Sequence, residues 1–181
     1  MTRVTVFCGW RQPAGRQVGF TVGQALGKAG FEIAYGGGNS GTMAGIASGA
    51  QAMGARVTAV SLPQWTEGSD PYTSQHIVDE LRVVPTMTER SRMLAELGDG
   101  YLVMSGGRGT LRELFDVWDA KAAGEHNKPI VILDPIGTFE TLLSLLRELI
   151  AAGHVAATEL DLVTLTPDHR TAIAYLQRTA R

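Results

Sequence analysis

Cysteine occurs once in the chain, as Cys8. A single thiol makes an intrachain disulfide impossible and excludes a cysteine-based zinc cage built by one chain. His76, His126, His154 and His169 have no metal-ligand spacing, so no metal is expected. No apolar run reaches membrane-spanning length, and no apolar signal segment precedes the strand-like Val4-Thr5-Val6-Phe7. The expected setting is therefore cytoplasmic, away from membranes. Surplus charge is also lacking: the formal net charge is -2, which gives no electrostatic reason to expect a nucleic-acid partner. A small substrate whose charge is handled locally suits that balance. Internal repeats and low-complexity tracts are missing as well.

What remains is an ordered α/β chain. At 181 residues and 44% apolar content, residues 1–181 are expected to form one domain around a well-filled core. Strands are expected at Val4 to Cys8, Phe31 to Tyr35, Arg56 to Leu62, Leu81 to Val84, Tyr101 to Met104, Pro129 to Leu133 and Leu160 to Leu165. Helices alternate with them. One carries Val18, Val22, Ala25, Leu26 and Ala29 on its apolar face, others cover Glu89 to Leu97 and Gly137 to Ile150, and Pro167 can open a last one. The strands are apolar throughout rather than strictly alternating, which is the signature of a Rossmann-like parallel sheet flanked by helices on both faces. Pro63 to His76 is the longest irregular stretch, a candidate lid or a surface excursion.

Two glycine-rich turns stand between a strand and a helix. Gly36-Gly37-Gly38-Asn39-Ser40-Gly41-Thr42 precedes a helix bearing Met43, Ile46, Ala47, Ala50 and Met53. Ser105-Gly106-Gly107-Arg108-Gly109-Thr110-Leu111-Arg112-Glu113 opens a helix bearing Leu111, Leu114, Phe115 and Trp118. Such turns present unpaired N–H groups at the positive end of a helix and favour an anion, most often a phosphate. Glycines that merely permit tight packing are the plainer alternative. Glu113 lies about one turn into its helix, where a carboxylate can work beside the anion. Gly36, Gly38 and Gly41 fit the bare dinucleotide string, but it does not follow the first strand, and no Lys-Ser or Lys-Thr pair follows either turn. A monophosphate-bearing ligand is the better inference.

In order along nearly the whole chain, these segments resemble the LONELY GUY family of cytokinin-activating phosphoribohydrolases, once widely labelled possible lysine decarboxylases. Ser105 to Glu113 matches the family's Pro-Gly-Gly-x-Gly-Thr-x-x-Glu, Met87-Thr88-Glu89-Arg90-Ser91 its Met-His-x-Arg-Lys, and Gly36 to Gly45 its Gly-Gly-Gly-x-x-Gly-x-Met-Gly. Cys8-Gly9, Phe115-Asp116-Val117-Trp118 and Gly124-Glu125-His126-Asn127-Lys128-Pro129 match further. A decarboxylase would demand pyridoxal phosphate on a lysine, and no lysine stands in the two glycine-rich turns or in Met87 to Ser91, so no cofactor is expected.

The resemblance implies hydrolysis of the N-glycosidic bond of a nucleoside 5′-monophosphate to free base and ribose 5-phosphate, by a homodimer with its pocket near the interface. It implies Glu113 and Arg90 as the catalytic pair, for which a structural ion pair is the bland alternative. It implies a 5′-phosphate held by Gly37, Gly38, Gly41, Thr42, Gly107, Gly109 and Thr110. Trp10, Arg11, Met87, Arg108 and Asp119 are candidate substrate contacts. Trp10 can stack on a base or pack against the protein, Arg11 can meet a phosphate, Arg108 can meet a phosphate or stay solvated, and the direction of Asp119 is open. Cys8 is expected to be a structural thiol rather than a nucleophile.

The chain departs from the pattern at several places. Ser105 replaces the signature proline, Thr88 and Ser91 replace a histidine and a lysine, and Arg112 replaces the first of a common Glu-Glu pair. Trp10-Arg11 stands for Ser-Ser, and Trp118-Asp119-Ala120-Lys121-Ala122-Ala123-Gly124 for Trp-Thr-Trp-x-Gln-Leu-Gly, which implies a changed base. The alternatives are a noncatalytic nucleotide or cofactor carrier, as in the related molybdenum-cofactor carriers, and a stabilising subunit.

Overall fold

The structure is a computed structural model that describes residues 2–66 and 78–180. Among these residues seven parallel strands form one sheet: β1 (Arg3–Phe7), β2 (Glu32–Tyr35), β3 (Val57–Ser61), β4 (Glu80–Val83), β5 (Gly100–Met104), β6 (Ile130–Leu133) and β7 (Val163–Thr166). Their spatial order is β4-β3-β2-β1-β5-β6-β7. The chain winds outward from β1 to β4, then returns to the middle and winds the other way from β5. The direction of winding therefore reverses between β1 and β5, and a crevice opens there beyond the carboxyl ends of the strands.

Six helices cover the sheet: α1 (Gly15–Lys28), α2 (Gly41–Gln51), α3 (Met87–Leu97), α4 (Arg108–Ala122), α5 (Glu140–Ala151) and α6 (His169–Thr179). Successive strand residues point to opposite faces, and here both faces are covered. Val4 and Val6 of β1 and Leu102 and Met104 of β5 pack with α1, α2 and α6, whereas Phe7, Tyr101 and Val103 pack with α3, α4 and α5. That is why these strands read as continuous apolar runs. Thr5, fully buried in β1, satisfies its hydroxyl by donating to Leu94 O of α3 at 2.8 Å.

α1 and α2 cross at backbone contact through glycines rather than through large side chains. A Cβ on Gly19 would strike Thr42 O, one on Gly23 would strike Ile46 O, and one on Gly45 would strike Arg16 O. This rotates the buried face of α1 onto Gly19, Val22, Gly23 and Leu26. Val18, expected on that face, is 46% exposed instead.

Other boundaries shift for local reasons. α3 starts two residues early because Thr86 caps it: the Glu89 N–H donates to Thr86 Oγ1 (3.2 Å), and the Thr86 hydroxyl donates to Glu89 Oε2 (2.8 Å). α5 starts at Glu140, since Gly137 takes φ +72° and Asp134 accepts from the N–H groups of Thr138 and Phe139. The stretch expected as a strand from Leu160 is a 3₁₀ turn over Ala157–Leu162 that enters β7 only at Val163. α6 begins after Pro167, at His169, because the Asp168 carboxylate accepts from Thr171 N–H at 2.8 Å and caps it. Pro63–Trp65 forms a single 3₁₀ turn, and the rest of the expected lid, residues 67–77, lies outside the described residues.

Candidate active site

The loops after β1, β2, β3 and β5 converge on a cavity of about 890 Å³ at the point where the winding reverses. Its floor is fixed by backbone contacts between loops. Gly9 N–H donates to Ser105 O at 3.0 Å, and Met43 N–H donates to Gly9 O at 3.2 Å. A Cβ on Gly9 would lie 3.2 Å from Gly106 Cα, so the β1 and β5 loops can meet this closely because neither carries a side chain there.

Arg90 and Glu113 form the centre of the site. The sequence separates them by one strand and two turns, yet α3 and α4 bring Arg90 Nη1 within 3.1 Å of Glu113 Oε1. The same guanidinium donates through Nε to Val60 O (2.9 Å) and through Nη2 to Gly36 O (2.8 Å), and sits 5.5 Å from the Trp65 ring centroid. Three carbonyl and carboxylate partners in three directions use the planar fork of an arginine and could not be matched by a lysine. Both side chains are nearly sealed, with 6% and 7% of their surface exposed.

Burial pushes the Glu113 carboxyl above its ordinary value, and the Arg90 charge and hydrogen bond pull it only part of the way back. Burial likewise lowers Arg90, against the pull of Glu113. Arginine does not give up its proton in proteins, so any exchangeable proton of this pair resides on Glu113. Glu113 Oε2 has no hydrogen-bond partner among the described residues, and the residue lines the cavity. The Cys8 thiol lines the same floor; burial first and the Glu113 charge second push it far above its ordinary range, so it is no nucleophile at neutral pH.

The two glycine turns differ in what they offer. At the α4 turn, Gly107 is the N-cap, and the first intrahelical bond runs from Leu111 N–H to Gly107 O. The N–H groups of residues 108–110 thus remain open toward the cavity. Gly107, Arg108, Gly109 and Thr110 line it, and Thr110 Oγ1 occupies the space that a Cβ on Gly106 would take. At the α2 turn, Met43 N–H is already bound by Gly9 O, and of the expected residues only Gly38 and Thr42 reach the cavity, with Gly36 beside them. Gly37 (φ +76°) and Gly41 (φ +56°) bend the chain instead, and Gly41 lies against Trp10 O. Neither helix carries an acid in its first turn, so the positive ends are not neutralised locally.

The remaining sequence candidates divide. Trp10, Arg11, Met87 and Arg108 line the cavity, with the Arg11 guanidinium 4.6 Å from the Trp10 ring centroid. Asp119 does not line it: it lies exposed nearly two turns beyond Glu113, on the opposite side of α4 from the buried Glu113 and Val117. The altered segment after Trp118 runs away from this cavity too, and Trp118 itself is buried, donating to Glu159 O at 2.9 Å. The Ser105 hydroxyl that replaces the signature proline lies 3.1 Å from Thr138 Oγ1 and ties the phosphate-type turn to the β6–α5 loop. Sequence reasoning missed Ser61, Ile136 and Thr138, which line the cavity, and reached Trp65 only as part of the irregular stretch from Pro63 to His76. None belongs to a motif, and each arrives through strand order.

A parallel α/β sheet with two glycine-rich turns and a buried carboxylate at its reversal point defines a Rossmann-like protein. The family model described as possible lysine decarboxylase matches residues 43–176. The cytokinin riboside 5′-monophosphate phosphoribohydrolase of Mycobacterium tuberculosis is 35% identical over 84% of this chain and 80% of its own. That of Rhodococcoides fascians is 32% identical over 96% and 88%. The molybdenum cofactor binding protein of Rippkaea orientalis superposes with a TM-score of 0.72 at 17% identity, covering 98% of this chain and 96% of its own. The molybdenum cofactor carrier protein of Chlamydomonas reinhardtii does so with a TM-score of 0.70 at 22% identity, covering 98% and 96%. These two share the fold. The chain belongs to the possible lysine decarboxylase family, among its LONELY GUY phosphoribohydrolases. No lysine is among the described residues that line the cavity.

Proposed function

We propose that this protein hydrolyses the N-glycosidic bond of a nucleoside 5′-monophosphate, releasing free base and ribose 5-phosphate. The observation that carries this reading is the sealed Arg90–Glu113 pair, which presents a carboxylate oxygen to a cavity also lined by the open N-terminus of the same helix, α4. The sequence likeness to phosphoribohydrolases supports it.

The 5′-phosphate sits on the N–H groups at the start of α4 with Thr110 Oγ1, and Arg108 and Arg11 face it from the cavity rim. The sugar then spans toward Glu113. As the C1′–N bond lengthens, positive charge develops on C1′ and the ring oxygen, and the Glu113 carboxylate stabilises it electrostatically. The same group holds a ribose hydroxyl and orients the water that adds to C1′. The proton of that water passes to the carboxylate and on to solvent, while the base leaves with the bonding electron pair and is protonated. Arg90 keeps Glu113 ionised and fixed, and acts as a positioning residue.

The active form we propose is a cytoplasmic homodimer. Two exposed apolar side chains, Leu111 (37% exposed) on α4 and Ile136 (78% exposed) at the cavity, support burial against a second copy. The test of function is release of free base from a panel of nucleoside 5′-monophosphates. Tight binding without release would instead establish the carrier reading.

A further inference from the structure

The cavity is chemically two-sided. Toward β5 and β6 it is lined by Ser105, Arg108, Thr110 and Thr138, and toward β2 and β3 by Met43, Ser61, Trp65 and Met87, with Arg90 and Glu113 between the halves. A nucleotide whose phosphate occupies the α4 end and whose C1′ lies at Glu113 has its base in the second half. That half includes the Trp65 indole, the Met43 and Met87 thioethers and the Ser61 hydroxyl.

Ser61 ends β3 and is only 4% exposed, yet it lines the cavity. Its carbonyl is used, accepting from Val84 N–H at 3.0 Å. Its hydroxyl makes no hydrogen bond to any described residue, and it is not among the sealed polar atoms, so its open side is the cavity. An unpaired hydroxyl in so closed a position carries a desolvation cost that a ligand atom would remove. Its neighbour Val60 gives its carbonyl to Arg90 Nε (2.9 Å), and Trp65, four residues on, lies beneath the same guanidinium, so Ser61 stands beside the ion pair that holds Glu113.

We infer that Ser61 is the residue that contacts the leaving base: its O–H donates a hydrogen bond to a ring heteroatom of a planar, uncharged heteroaromatic base packed against Trp65 and Met87. This rests on the hydrolase reading above and extends it. When the C1′–N bond breaks, its electron pair stays on the base and negative charge spreads over the ring. A donor aimed at that ring strengthens its bond as the charge grows, which lowers the barrier rather than merely improving binding. No proton need leave Ser61; the base takes its proton from water.

The test compares wild type, Ser61→Ala and Ser61→Thr, as the full chain, on two leaving groups. One is the best substrate among adenosine, guanosine, cytidine and uridine 5′-monophosphates. The other is 4-nitrophenyl β-ribofuranoside 5-phosphate, whose nitrophenolate departs without help. Ser61→Ala is expected to lower kcat on the nucleotide by about 10- to 100-fold, the effect of one hydrogen bond to a developing charge, and on the nitrophenyl substrate by no more than about twofold. Ser61→Thr keeps the hydroxyl and should recover most of the loss. Because the comparison is a ratio within one preparation, a reduced folded fraction cancels from it. Equal losses on both substrates, or none on either, overturn the inference alone. A wild type that releases no base from any nucleotide overturns the hydrolase reading, and this inference with it.

Discussion

Arg90 occupies the space that a side chain on Gly36 would fill. The Gly36 carbonyl accepts from Arg90 Nη2 at 2.8 Å, and a Cβ built on Gly36 would collide with that same nitrogen. The first glycine turn is therefore a socket for the arginine. Gly36→Ala should displace the guanidinium from Glu113, lowering base release by at least about tenfold and stability by about 1–3 kcal/mol, the usual cost of overpacking. Steady-state release of free base and a thermal melt check both, and an unaltered rate would show that the Arg90 position is not critical.

Glu113→Gln keeps the shape and an acceptor for Arg90 but removes the charge that, in the proposed mechanism, faces the sugar. Base release should fall by about 10²- to 10⁴-fold, the range for loss of a positioned acid–base group, with the fold retained. Turnover equal to wild type would remove Glu113 from the mechanism.

The direction of the Glu113 shift makes two pH predictions. Burial raises its folded-state value above the unfolded one, so the folded protein binds the proton more tightly. Stability contributed by this group is then greatest at low pH and is lost as pH rises through the window between the unfolded and folded values. Activity runs the other way, because the proposed mechanism uses the carboxylate. The acid limb of the pH–rate profile should lie above the ordinary glutamate range and should vanish in Glu113→Gln. A limb at the ordinary value would mean that the site admits more water than the structure holds.

Cys8 is buried and held protonated by burial and by Glu113. A disulfide reagent at neutral pH should leave the native protein unmodified and titrate one thiol after denaturation. Rapid native modification would contradict a sealed floor beneath the site.

The glycine seam between α1 and α2 predicts a stability effect remote from catalysis. A Cβ on Gly23 would collide with Ile46 O, and backbone cannot step aside as a side chain can. Gly23→Ala should cost about 2 kcal/mol or more, seen as a melting temperature lower by roughly 4–8 °C. A gain in stability, as for an ordinary helical Gly→Ala, would show that the helices can separate at little cost.

Much of this molecule was determined locally. Apolar strands, helical spacing and glycine turns depend on backbone geometry and on neighbours within a few residues, so the α/β alternation, the parallel sheet and the ordered motif set could be read directly from the sequence. The sequence also named Arg90 and Glu113, because each stands at a fixed place in a recognisable segment. Boundaries moved where a side chain competed for the backbone, as Thr86 and Asp168 do at their helix ends.

Tertiary structure alone decided which of these residues meet. Strand order puts Ser61 and Trp65 beside Arg90, closes the Gly9–Ser105 contact, and leaves Asp119 outside, because direction on a helix depends on which face the sheet buries. It also separated the two turns, which look alike in sequence. At α2 the Gly9 carbonyl takes an N–H, whereas at α4 the first three stay open, a difference set by a contact between distant loops.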